Sequence, residues 1–142
     1  MVITYKHSGG DTVICHGTGH RGEVGFFTGP VGGEDTAVAE WSAQVSRPIR
    51  ASSAKPLDRG NGLFSFDFSV ERRFGTEDDA LAWKLTFPAS LPRFGARLEV
   101  GDIGGVVMEL PDAALERLTI NRVGLSCDVT FEFKTAMPEV KE

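Results

Sequence analysis

The sequence predicts an α+β protein dominated by antiparallel β-structure: a β-sandwich of about eight strands with one flanking α-helix. Three observations predict it. Residues 64–71 and 125–134 alternate apolar and polar side chains without a break, the period of a half-buried strand. Only residues 76–87 carry a helical period without a competing strand alternation. Strands and helices do not alternate along the chain, so no βαβ unit is available for a parallel sheet, and 17 glycines supply turns instead. At 142 residues the chain suits one domain with its own core.

In chain order, "VITYKH" and "TVICH" around "SGGD" form a hairpin. Residues 17–35, "GTGHRGEVGFFTGPVGGED", hold seven glycines and no period, which makes them a long loop. "TAVAEWSAQVS" fits either a strand or a helix, and its run of alternation favours the strand. A basic connector punctuated by Pro and Gly follows over 47–62. In "LFSFDFSVERRF", Phe64, Phe66, Phe68 and Val70 share one face. "GTEDDALAWKLTF" then changes period: Thr76 caps, the carboxylates of 77–79 favour the first turn, and Leu81 and Leu85 share a face. Pro88 and Pro92 are expected to stop the helix after about three turns. "ARLEV" and "GVVMEL" flank "GDIGG" as a hairpin, and "ALERLTIN" and "LSCDVTFEF" flank "RVG" as another. The predicted core joins Leu125, Val129, Phe131 and Phe133 to Phe64, Phe66 and Phe68.

Charge excludes some functions. A net charge of −5 argues against a surface built to grip nucleic-acid phosphates, so no sequence-specific nucleic-acid binding is expected. No apolar run approaches the ~18 residues of a membrane span, and "MVITYKHSGG" lacks the pattern of a signal peptide. Cys15 and Cys127 are too few for a disulfide framework and read as reduced thiols within strands.

Gly17-Thr18-Gly19-His20-Arg21-Gly22 spells the glycine pattern of a dinucleotide-binding turn. That chemistry needs a helix N-terminus to receive the pyrophosphate, and "EVGFFTGPVGG" cannot supply one. A metal site on Cys15, His16 and His20, with His7 from the paired strand, fails because adjacent strand residues point to opposite faces. His16 and His20 are therefore expected to be surface loop residues. No G-x-S-x-G or H-E-x-x-H is present, the carboxylates at 77–79 are explained by the helix start, and Trp83 reads as core. The expectation is a non-enzyme with no cofactor and no metal.

Residues 47–135 carry a larger pattern: "RPIRASSAKPLDRGNG", the aromatic strand, the small and acidic helix, the "LP…G" break and a closing "GLSCDVTFEFKT" strand. This order of elements resembles small tail-associated structural proteins of bacteriophages and prophages. The resemblance implies a tail-tube-like β-sandwich with one helix, of the kind found in tail tubes, tail terminators and distal tail proteins. It implies assembly into a ring or multimer with itself and with other phage tail proteins. It also implies residence in the virion tail, after a period in the host cytoplasm. Under it, the loop at 17–35 and the connector at 47–62 become assembly arms. Ordering a loop costs about 1–2 kcal/mol of backbone entropy per residue, so its apolar groups are expected to find burial on a neighbour. The expected interface residues are Val24, Phe26, Phe27, Val31, Arg47 and Arg50. Ser69, Thr130, Glu132 and Lys134 on the polar strand faces are further candidates to line a ring. The alternative is a carbohydrate- or ligand-binding module that uses Trp41, Phe26 and Phe27 as a platform.

Overall fold

The computed structural model describes residues 1–31, 37–42, 45–46, 57–58, 63–103 and 105–141. They form β1 (Val2–His7), β2 (Gly10–Cys15), β3 (Phe27–Thr28), β4 (Val38–Ser42), β5 (Val45–Ser46), β6 (Leu57–Asp58), β7 (Leu63–Arg73), α1 (Glu77–Ser90), β8 (Ala96–Ile103), β9 (Val106–Val123), β10 (Ser126–Thr135) and β11 (Glu139–Lys141). Nine strands join one antiparallel sheet in the order β2-β1-β8-β9-β10-β7-β3, with β11 added to β9 and β4 to β7. Strands β5 and β6 pair separately. The predicted class, mainly antiparallel β with one helix, is the class observed, and the sheet curls into a nearly closed barrel.

Strand β9 explains the curl. Its first half pairs β8 and its second half pairs β10, so one strand serves both halves of the sheet. The sequence reading split it into two strands at "PDA". Pro111 does remove a ladder donor there, but the chain continues through a register shift, with Asp112 at φ 51°. Such a bulge sharpens strand twist and bends the sheet.

Alternation sets the inner face. Val129, Phe131 and Phe133 of β10 pair with Val70, Phe68 and Phe66 of β7, and all six are buried. Tyr5 and Leu98 close the opposite wall. Phe64 is only half-buried, and Leu125 is exposed because it sits in the β9–β10 turn. That corrects the place of Leu125 in the predicted core.

Helix α1 connects the two halves of the sheet. The Thr76 hydroxyl accepts the Asp79 N–H at 3.1 Å, the predicted cap. The helix runs through Pro88 to Ser90 and stops at Leu91, which is extended before Pro92. Its buried side is Ala80 and Phe87 with half-buried Trp83, and Leu81 and Leu85 face outwards. The outward pair corrects the predicted helix face.

Candidate functional site

The glycine-rich stretch closes the barrel. His16 N–H donates to the Phe27 carbonyl at 2.7 Å, and Phe27 N–H donates to His16 Nδ1 at 3.0 Å. Gly29 N–H donates to the Gly17 carbonyl at 3.0 Å. On the other edge, Gly25 N–H bonds the Arg73 carbonyl and Val31 N–H bonds the Ser69 carbonyl. Residues 16–31 therefore form a seam between β2 and β7. Two glycines are required by it. Gly17 sits at φ 79°, and a Cβ on Gly29 would come within 3.0 Å of the Ser69 carbonyl oxygen and of Val70 Cγ1.

The predicted interface residues fall in different places. Phe27 is 1% exposed, packed against Trp83, Phe87 and Phe131 with ring centroids 5.7, 5.7 and 6.3 Å away. Its side chain belongs to the chain's own core, which corrects its assignment both to an assembly interface and to a ligand platform. Phe26 is half-buried and stacks on His20 with centroids 4.1 Å apart. Val24 and Val31 are exposed. Arg47 and Arg50 lie outside the described residues, as does the side chain of Trp41.

His20 is a partly exposed loop residue, as expected, while His16 is more than a surface group. His16 bonds Phe27 and is partly buried, and burial lowers its pKa from the ordinary 6.5. His20 Nδ1 meets Glu23 Oε2 at 2.7 Å. Behind them stands Arg72, whose guanidinium lies 4.9, 5.2 and 5.5 Å from the ring centres of Phe27, Trp83 and Phe74. Desolvation lowers the Arg72 pKa, and its buried Nε has no hydrogen-bond partner among the described residues. The alternation of 66, 68 and 70, extended two residues, was the signal that puts Arg72 on the inner face.

The outer polar faces are tied within the chain. Ser69 Oγ and Thr130 Oγ1 are 2.9 Å apart, Lys134 Nζ donates to Ser65 Oγ at 2.6 Å, and Arg117 faces Glu132 at 3.6 Å. Burial first, then Glu132, raise the Asp67 pKa.

One end of the sheet gathers exposed aliphatic side chains around the exposed Arg73. Val24 bridges to Arg73, Arg73 pairs with Ser126, Ser126 pairs with Val123, and the Leu125 carbonyl accepts the Phe74 N–H. This lateral series brings Val24, Val123 and Leu125, all exposed, to one rim. Helix α1, with exposed Leu81 and Leu85, starts just beyond Phe74. Sequence reading placed only Val24 at an interface.

Cys15 and Cys127 are buried and not disulfide-bonded, and burial raises the Cys127 pKa. Among the described residues, no group of three or more His, Cys, Asp or Glu side chains is arranged to hold a metal ion, and no helix is long and apolar enough to cross a membrane. No known protein family matches the chain, and no curated protein matches it.

Proposed function

We propose that this protein is a bacteriophage virion structural protein, a component of the tail or tail tip. It acts by assembling into a ring or multimer and by contacting other tail proteins, without catalysis or cofactor. The observation that carries the reading is the apolar rim of Val24, Val123 and Leu125, with Leu81 and Leu85 on the neighbouring helix. These side chains stay in water while the core is filled by Phe68, Phe131, Phe133 and Phe27. Aliphatic groups gathered at one end of a domain favour a protein contact that removes them from water. The antiparallel architecture with one helix is compatible with a ring subunit, although a fold alone does not fix a function. The virion tail is then its final location and the host cytoplasm its place of synthesis.

Size-exclusion chromatography with light scattering, followed by negative-stain imaging, tests the reading. Rings or a discrete multimer are expected. A monomer at every concentration, including in mixtures with candidate tail proteins, rejects it.

A further inference from the structure

A second surface, remote from the rim in the strand order, has the character of a ligand site. A groove of about 480 Å³ opens where β9 turns between the halves of the sheet, and Lys6, Asp11, Arg97, Glu109 and Asp112 line it with the Gly95–Ala96 backbone. Its volume lies in the range of small-molecule sites. We propose that this groove binds a neutral saccharide.

Four features favour that class. Asp112 is the non-glycine residue with positive φ among the described residues, and its carboxylate has no ion-pair or hydrogen-bond partner among them. A left-handed aspartate on a groove wall is backbone strain of the kind that collects at binding sites. Second, the guanidinium of Arg97 approaches Glu109 only to 3.9 Å, which leaves donors for hydroxyl groups. Third, Phe94, adjacent in sequence to the lining Gly95 but not itself part of the lining, is 78% exposed and is free to meet the C–H side of a sugar ring that extends past the groove mouth. Fourth, the segment carrying Phe94 is fixed on both sides: Tyr5 Oη donates to the Pro92 carbonyl, and Leu115 N–H donates to the Arg93 carbonyl at 2.9 Å. A pre-ordered wall lowers the entropy lost on binding.

Charge narrows the ligand further. Lys6 is engaged by Glu99 at 2.9 Å, so Arg97 is the lining cation that remains against Asp11, Glu109 and Asp112. An anion would meet more repulsion than attraction there. A neutral polyol can accept from Arg97 and donate to the carboxylates at once. His7 is not a free base: Nδ1 accepts the Gly9 N–H at 3.1 Å and Nε2 lies 2.9 Å from the Thr12 hydroxyl. Recognition of a saccharide there stands independently of the assembly reading.

The test is a ¹H–¹⁵N NMR titration of the full chain with neutral mono- and disaccharides (glucose, galactose, N-acetylglucosamine, maltose and lactose). Spermidine and glucuronate serve as cationic and anionic controls. At least one neutral sugar should produce saturable shifts centred on Gly95, Arg97 and Asp112. Arg97→Ala and Phe94→Ala should each weaken that binding about tenfold or more, the loss of one charge-assisted hydrogen bond or one stacking face. Asp112→Gly suits the left-handed backbone, so weaker binding in that variant reports the lost carboxylate and not a damaged fold. No saturable shift up to about 50 mM sugar, far above a Kd of about 1 mM, overturns the proposal. So does binding of spermidine or glucuronate alone, or sugar binding that Arg97→Ala and Phe94→Ala leave unchanged.

Discussion

His16 and Phe27 hold each other by two hydrogen bonds, one through the His16 amide and one through its ring. The pair stands in for a ladder that β2 and the two-residue β3 are too short to build, and it turns the Phe27 ring into the core. Phe27→Ala should cost about 3–5 kcal/mol, the usual range for a buried aromatic. Phe26→Ser should cost clearly less, since Phe26 stacks on His20 at the surface of the seam. Urea unfolding of both variants checks this, and equal losses would mean that the seam does not place Phe27 alone in the core.

The same pair makes a pH prediction. Because Nδ1 accepts an amide proton, His16 serves the seam as a neutral ring. Burial holds its pKa below the ordinary 6.5 against the upward pull of the Phe27 backbone hydrogen bond, and the nearby His20 and Arg72 push it down further. A folded pKa below the unfolded one means that the folded state binds fewer protons. The stability is therefore complete above the unfolded value of 6.5 and is lost as pH falls from there through the folded value. Tm should drop more between pH 8 and pH 5 in the wild type than in His16→Asn, whose Oδ1 takes the place of Nδ1 on Cγ and accepts the amide without titrating. Identical slopes in the two proteins count against the clamp.

Period-2 segments were the most legible part of the sequence. Residues 64–71 and 126–134 became paired strands with the predicted faces because the same alternation fixes both pairing and burial. The Thr76 cap was legible because it is local. The helix face was not: Leu81 and Leu85 fit one stripe, Ala80, Trp83 and Phe87 another, and only the aromatic cluster beneath selects between them. Nor was the seam, because it has no period and the burial of Phe27 depends on Trp83, Phe87 and Phe131, all distant in sequence. The groove at Asp112 was hidden by the same cause that hid the continuity of β9, a proline that looks like a strand end.

Arg72 gives a test of charge against packing. Stacking on three rings stabilises its cation by about 0.5–2 kcal/mol, while an unsatisfied buried donor costs about 1–3 kcal/mol. The two nearly offset. Arg72→Met keeps the stem among the rings and should change stability by less than about 1.5 kcal/mol. Arg72→Ala opens a gap and should cost about 2–5 kcal/mol. If calorimetry finds the two variants equally destabilised, the charge itself matters more than the volume.

Gly29→Ala places a methyl group 3.0 Å from the Ser69 carbonyl oxygen, a backbone atom that cannot step aside without breaking the Val31 bond. A loss of about 1–3 kcal/mol is expected from this overpacking. Gly19→Ala has nothing within 4 Å of its Cβ and should be silent in the same thermal melts.

The assembly reading is tested most directly at the rim. Val24 and Val123 are 56% and 69% exposed, at opposite ends of the lateral series Val24–Arg73–Ser126–Val123, so neither supports the core. Exposed substitutions away from such support usually shift stability by less than about 0.5 kcal/mol. The double variant Val24→Asp, Val123→Asp should therefore keep the wild-type circular dichroism and melting. At a subunit contact the outcome differs, because each new carboxylate must give up its hydration against an apolar neighbour, and the exposed Arg73 beside Val24 offsets that cost at only one of the two positions. The multimer should dissociate to monomer in sedimentation velocity, and raised salt should not restore it, since lost hydration rather than long-range repulsion opposes the contact. Leu85→Asp separates the helix from the rim: dissociation there as well extends the interface along α1, and an intact multimer confines it to the sheet end. A multimer that survives the double variant unchanged would place assembly elsewhere on the chain and remove the observation on which the tail-protein reading rests.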